Sequence, residues 1–394
     1  MPRYELAHII QRYGKNSIKK YPQPLFHLRT LHAIEHCRTM AMGGHVDSCD
    51  ACGHIRVSYN SCRNRHCPKC QSTQRERWII GREQDLLPVS YFHVVFTLPQ
   101  SLNQLCMRHP VMIYNTLFHA AWETIQAFSK DPKHLGAETG MISILHTWGQ
   151  HLWLHPHLHC IIPGGGLNRQ GKWKQVKSNG KFLFPVKAMS RVFRGKFMEK
   201  LRKWSKSEGI VLSESLLDNL YRHSWIVYAK QPFLGPQQVV EYLGRYTHKI
   251  AISNHRIKNI EDGKVTFTWK DYRDREKRKL MTLQSAEFLR RFCLHILPAG
   301  YVRIRHYGFL SCRKKPLLQQ VQRNMGLTPA KPQKLSWQEI CTLRLGFDVE
   351  TCPCCGKGKM VTTERWLPGR SPPMSIIRLR EKKKLKSINT IDDC

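Results

Sequence analysis

His151–Gly166 reads HLWLHPHLHCIIPGGG. Strand-forming residues (Trp153, Leu154, Leu158, Ile161, Ile162) surround its histidines, and three glycines close it. In an extended strand alternate side chains share a face, so His155, His157 and His159 project to one side. Imidazole nitrogens on one face of a rigid strand suit a divalent metal, and two of them already fix its position. A lone histidine there reads as an ordinary half-buried side chain; three at alternating spacing read as a metal site. Gly164–Gly166 permit close backbone approach after the strand, and with no lysine of the Walker type they do not describe a nucleotide site.

Further on, Gly235–Ser253 reads GPQQVVEYLGRYTHKIAIS. Pro236 suits the first turn of a helix, Val239, Val240 and Leu243 form an apolar stripe, and Tyr242 and Tyr246 stand one turn above each other. Taken alone, such a tyrosine pair is packing. Beside a histidine metal site in a very basic chain, it reads as chemistry.

The chain has 394 residues, enough for two or three domains, and its 64 Lys+Arg against 28 Asp+Glu leave a formal net charge of +36. Such a chain repels itself unless it meets a polyanion, so nucleic acid is the expected partner. An anionic membrane surface is the second choice, but no apolar run reaches the length of a span. MPRYELAHIIQRYG carries no signal-peptide core, and a cytoplasmic, nucleoid-associated protein is expected.

The 15 cysteines cluster in CxxC pairs, which points to zinc in a reducing compartment and not to disulfides. In HVDSCDACGHIRVSYNSCRNRHCPKCQ, Cys49/Cys52 and Cys67/Cys70 are two knuckles fourteen residues apart, and four thiolates at this spacing are expected to surround one structural zinc. Cys37, His45, Cys62 and His66 are left over and could bind a second ion. Near the other end, Cys352-Pro-Cys-Cys355-Gly is a knuckle with no second CxxC beside it; Cys341 or Cys312 could complete it. Arg56, Arg63, Arg65, Lys69, Arg75 and Arg77 lie among the N-terminal cysteines and read as contacts to DNA backbone. The basic helix Met189–Ser207 could line a strand-binding channel, and residues 367–394 read as a disordered basic tail.

Around these motifs, Tyr91–Pro99 reads as a strand whose His93 turns either to the metal or into the core. Leu102–Ser129 reads as one or two helices and Asn168–Phe184 as a hairpin. Lys249–Ser253 and Lys264–Tyr272 read as strands joined across Glu261-Asp262-Gly263, and Tyr301–His306 as a half-exposed strand.

Together these motifs resemble a known family. His157-Leu158-His159 resembles the His-hydrophobic-His signature of HUH single-strand endonucleases, and Tyr242-Leu-Gly-Arg-Tyr246 resembles the paired tyrosines of two-tyrosine, rolling-circle insertion-sequence transposases (the insertion sequence ninety-one type). The cysteine-rich N-terminus and Phe288–Ser311, FLRRFCLHILPAGYVRIRHYGFLS, are similar to that family too. The resemblance implies an α+β fold: an HUH-endonuclease-like antiparallel sheet of about five strands with helices packed on it, after a small zinc-binding domain. The implied domains are 1–82 (zinc and DNA binding), 83–311 (catalytic) and 312–394 (basic, with a knuckle and tail).

The implied reaction is metal-dependent nicking and rejoining of single-stranded DNA at the element's ends and target, through a 5′-phosphotyrosine. Mg2+ or Mn2+ would sit on His157 and His159, with His155 as the third ligand on the strength of its shared face. Tyr242 and Tyr246 are the nucleophiles, in an order the sequence leaves open, and His155, Glu241 or a water on the metal could take the phenol proton. Nothing resembles an ATPase or helicase, so strand separation would fall to host replication machinery. A replication initiator or relaxase would share this chemistry. A non-catalytic zinc-dependent DNA-binding protein would explain the charge and the cysteines but not the histidines and tyrosines.

Overall fold

The computed structural model describes residues 2–178, 182–233, 238–239, 244, 249–272, 274–330 and 335–368. Its first helix, α1 (Leu6–Lys20), forms around an apolar stripe of Leu6, Ala7, Ile9 and Ile10. Glu5 and His8 close its N-terminus by a reciprocal capping box. α1 packs against α2 (Leu25–Glu35). After them come the hairpin of β1 (Gly44–Cys49) and β2 (Ile55–Tyr59), and then α3 (Gln71–Glu83).

The central sheet is antiparallel and α+β in composition, as expected. β3 (Tyr91–Thr97) leads through α4 (Asn103–Arg108) into α5 (Pro110–Lys130), whose Pro110 occupies the first turn. β4 (Gly140–Trp148) and β5 (Leu154–Pro163) follow. β6 (Gly165–Leu167) and β7 (Trp173–Gln175) form a small hairpin that begins within the glycine run and ends at Gln175, earlier than the Asn168–Phe184 expected. A side-chain carbon at Gly165 would stand 2.5 Å from the Lys174 carbonyl oxygen, and one at Gly166 2.5 Å from that of Glu138, so the glycine run is there for backbone approach.

Helices α6 (Val186–Ser207) and α7 (Glu214–Arg222) precede β8 (Val227–Phe233). β9 (Ile257–Glu261), β10 (Lys264–Asp271) and β11 (Lys277–Gln284) make a separate sheet. The turn between β9 and β10 falls where expected, with Asp262 and Gly263 both at positive φ (47° and 69°). The strand expected at Lys249–Ser253 does not form: Ala251 and Ile252 are buried as irregular chain, and the paired strand begins at Ile257. The helix Ser285–Cys293 and β12 (Ile304–Gly308) complete this part.

The five-stranded order is β12-β4-β5-β3-β8, so the histidine strand is the middle one. One face carries Phe92, Val94 and Phe96 from β3, Met141 and Leu145 from β4, and Leu158, Cys160 and Ile162 from β5. These pack on Phe118 and Ile125 of α5 and on Phe193 and Phe197 of α6. Strand alternation sends His93, His146, His157 and His159 to the opposite face, with Ile144 and Ile161.

A second core joins distant parts of the chain. Leu6, Ile9 and Ile10 of α1 pack with Ile257, Phe267, Phe288 and Phe292, and the Leu6 amide donates to Asn254 Oδ1 at 3.1 Å. At the far end, β13 (Met360–Trp366) adds to the N-terminal hairpin in the order β13-β1-β2, and Trp366 meets Tyr59 edge-on. The tail from 369 lies outside the described residues.

Candidate active site

The site is built from three imidazoles. His146, His157 and His159 bring ligand nitrogens within 4.8 Å of one another. Register explains it: His146 on β4 stands directly opposite His157 on β5, and His159 is next but one on the same face. His157 Nδ1 lies 2.7 Å from the His155 carbonyl oxygen. It donates there, which leaves Nε2 bare. His159 Nδ1 lies 2.9 Å from His93 Nε2, and the two rings stack at 5.2 Å. Donation from His159 to His93 bares the Nε2 of His159 as well. Those two Nε2 atoms face each other at 3.2 Å. Two lone pairs so close favour a shared cation, and nitrogens about 2.1 Å from one ion stand roughly 3–3.5 Å apart. Trp148 stacks on His146 at 4.6 Å and fixes its plane.

The electrostatics agree. Burial pushes His157 down to about 4 and His93 to about 3. Burial, with His146, His157, His93 and Lys249 nearby, holds His159 well below its ordinary value. His157 and His159 are therefore neutral at physiological pH, the form in which imidazole can bind a metal. Among the described residues no carboxylate joins the group, and imidazole nitrogens favour Mn2+ over Mg2+.

His155, expected as the third ligand, is exposed and does not converge with the others. It sits at the start of β5, and its place is taken by His146 from the neighbouring strand. His146 was missed because Gly140–Trp148 reads simply as an apolar lead-in. The signal was Ile142, Ile144 and His146 alternating in it. Tyr242 and Tyr246 lie outside the described residues. Two neighbours are described: Val239 is buried with Ile144, Ile161 and Tyr91 on the histidine face, and Gly244 lies against Ile79 of α3.

The cysteines form two tetrads. Cys37, Cys62, Cys67 and Cys70 are one, and Cys49, Cys52, Cys352 and Cys355 the other. Sulfur separations are 3.4 Å for Cys37–Cys70, 3.6 Å for Cys62–Cys70, and 3.7 Å for both Cys49–Cys355 and Cys52–Cys352. Thiolates about 2.3 Å from one zinc stand ~3.8 Å apart, whereas a disulfide holds its sulfurs at about 2.05 Å. The single site expected from Cys49, Cys52, Cys67 and Cys70 is thus replaced. Cys49 and Cys52 occupy the tip of the β1–β2 hairpin, whereas Cys62, Cys67 and Cys70 follow its base, roughly 17 Å away along β2. His45 approaches Asp47 instead, and His66 accepts from the Leu297 amide. Cys312 and Cys341 belong to neither tetrad.

Residues 9–98 match the family described as "Transposase zinc-binding domain", and residues 140–316 the family described as "Putative transposase". Over 388 residues the chain is 42% identical to "Putative transposase y4qJ" of Sinorhizobium fredii (strain NBRC 101917 / NGR234), covering 94% of this chain and 97% of that one. This chain belongs to the IS91-type insertion-sequence transposases. It is also 27% identical over 378 residues to "Transposase for insertion sequence element IS801" of Pseudomonas savastanoi pv. phaseolicola, covering 91% of this chain and 86% of that one. No solved structure matches.

A transposase acts on DNA, and its zinc-binding domain carries structural zinc. Several basic side chains expected on the DNA turn out to be internal ties. Arg56 pairs with buried Asp47 at 3.1 Å, Lys69 with Glu5 at 2.5 Å and Arg75 with Glu76 at 2.8 Å, and Arg65 donates to the Tyr301 carbonyl. Arg63 and Arg77 remain exposed. On α6, Lys200 pairs with Glu123 at 2.7 Å, and Arg194 and Arg202 lie over Tyr221. No described helix of the transposase is long and apolar enough to cross a membrane.

Proposed function

We propose that this transposase nicks and rejoins single-stranded DNA at its element's ends, with Tyr242 and Tyr246 as nucleophiles and His146, His157 and His159 as the seat of a divalent ion. The convergence of three imidazoles on the face of the central sheet opposite the helices carries the reading. Val239, three residues before Tyr242 in the sequence, packs on that same face.

A bound Mn2+ or Mg2+ would supply Lewis acidity and orient the scissile phosphate. The protein's own groups do the rest. His93 and the His155 carbonyl hold the ligand rings in the tautomer that points Nε2 into the site. Lys249 lies close enough to bear on both His157 and His159, and desolvation lowers its own pKa. Its cation would offset charge building on the phosphate oxygens.

A phenol oxygen attacks phosphorus and loses its proton. The bond from phosphorus to the 3′-oxygen breaks, and that oxygen leaves as a 3′-hydroxyl after taking up a proton. The phosphotyrosine keeps the energy of the broken bond, so a second 3′-hydroxyl can reverse the step on another strand without ATP. Water as nucleophile would lose the end. Two tyrosines would allow two ends to be held in one event.

The test is a denaturing gel of labelled single-stranded DNA from the element's ends, incubated with protein and Mn2+. A protein-sized labelled band is expected. It should vanish in the Tyr242→Phe/Tyr246→Phe double variant and in His157→Ala, and the single variants should show which tyrosine begins. Normal DNA binding with no adduct on any end sequence would exclude the mechanism.

A further inference from the structure

The second cysteine tetrad joins the two ends of the chain. Cys49 and Cys52 lie in the N-terminal hairpin, and Cys352 and Cys355 lie some three hundred residues later, outside the matched zinc-binding domain at 9–98. The two halves have the same local design. Cys49-Asp-Ala-Cys52-Gly53 and Cys352-Pro-Cys-Cys355-Gly356 are both CxxCG loops, and each glycine is left-handed, with φ of 67° at Gly53 and 66° at Gly356. That turn lets amides point at sulfur. The Cys52 amide donates to Cys49 Sγ at 3.5 Å, the Cys354 amide to Cys352 Sγ at 3.4 Å, and the Gly358 amide to Cys355 Sγ at 3.3 Å. Amide donors of this kind stabilise thiolates.

The surroundings are built for contact between the loops. A side-chain carbon at Gly358 would stand 2.4 Å from Cys49 Sγ, so only glycine lets the sulfur in. The Asp50 amide donates to the Lys359 carbonyl at 3.1 Å, and Asp50 Oδ1 accepts from the Lys359 amide at 2.8 Å. From there β13 runs antiparallel to β1, from Cys49 opposite Met360 to Gly44 opposite Trp366.

We propose that Cys49, Cys52, Cys352 and Cys355 bind a second zinc ion, which clasps the C-terminal strand onto the N-terminal hairpin. Four thiolates within 4.8 Å of one another, with Cys49–Cys355 and Cys52–Cys352 both at 3.7 Å, fit tetrahedral zinc and leave no open position, so the ion is structural. The clasp has a consequence for DNA. β13 joins β1 and β2 as a sheet wall of an open cleft of about 2080 Å3 that is also lined by α3 and the helix Trp337–Leu345. Arg38, Arg63, Arg77, Lys359 and Arg365 line it, beside Tyr59 and Trp337. This exceeds a small-molecule pocket, and its cations and aromatic rings suit a phosphate backbone with stacked bases. Without the clasp one wall would be missing.

Zinc content of the purified full-length protein is the test. Two ions per chain are expected. The Cys352→Ser/Cys355→Ser variant should hold one, the Cys62→Ser/Cys70→Ser variant one, and Cys341→Ser two. A wild-type protein with a single zinc, or a Cys352→Ser/Cys355→Ser variant that keeps two, overturns the proposal. Should that variant fail to fold, alkylation of the zinc-loaded wild type, read by peptide mass spectrometry, decides the matter. Cys49, Cys52, Cys352 and Cys355 should be protected together and released together by a chelator, while exposed Cys354 reacts throughout. Reaction at Cys352 and Cys355 with Cys49 and Cys52 still protected, or a Cys52–Cys352 disulfide in the isolated protein, overturns it.

Discussion

At the residue scale the histidine centre depends on which nitrogen is left bare. His157 reaches that state by donating to its own strand's backbone, and His159 by donating to His93. The roles of the four rings therefore separate by experiment. His146→Ala should lower adduct formation by on the order of 100-fold, while His155→Ala should leave it within about threefold, measured on the same labelled strands. Equal losses in both would return His155 to the ligand set. His93→Phe keeps the ring's volume and removes its acceptor. It should weaken metal affinity about 10–100-fold and be rescued by raised Mn2+. A loss that excess Mn2+ does not rescue would mean that His93 acts other than by orienting His159. The sequence marked His157 and His159 because period two is a local property of a strand. It could not choose between His155 and His146, because the choice lies in the β4–β5 register.

At the element scale, glycines show where strands approach too closely for a side chain. Gly166 faces the Glu138 backbone, and Gly308, at a φ of 60°, would bring a side-chain carbon 1.9 Å from the Thr139 carbonyl oxygen. Gly166→Ala should lower unfolding stability by about 2 kcal/mol in chemical denaturation, because backbone on both strands must shift. Gly171→Ala provides a contrast of another kind: it meets no atom within 4 Å, and only its positive φ of 73° resists. Strand propensity placed most elements of the central sheet. It failed at Lys249–Ser253, where Ile252 is apolar for the sake of the second core and not for pairing. It also missed that Met360–Trp366 is a strand, since Val361, Thr362 and Thr363 are exposed in succession and show no alternation of burial.

At the scale of the whole molecule, histidines outside the three-imidazole cluster are also buried and neutral. Burial pushes His66 down to about 3 and His295 to about 4. The unfolded chain takes up protons near pH 6.5 that the folded chain refuses. Their contribution to stability is thus complete above about pH 6.5 and is lost as pH falls towards the folded values. The melting temperature should fall by on the order of 5 °C between about pH 7.5 and pH 5. A flat profile over that range, with zinc content unchanged, would show that these rings titrate freely. The net charge of +36 acts at the same scale. Much of the N-terminal basic set is spent on internal ion pairs, so DNA contact falls to fewer residues than composition suggests.

The amino-acid sequence by itself determined what short spacing can encode: the histidine strand, the CxxC knuckles, the amphipathic helices and the α+β class. Strand alternation, knuckle loops and helix stripes are settled within a few residues, and the motifs sufficed to recognise the family. Only the tertiary structure decided which knuckle meets which, that His146 joins His157 and His159, and that Met360–Trp366 shares a sheet with the N-terminal hairpin. Those are contacts between segments up to three hundred residues apart. Loop closure over such lengths costs nearly the same for many pairings, so local pattern cannot rank them; packing, register and sulfur geometry do.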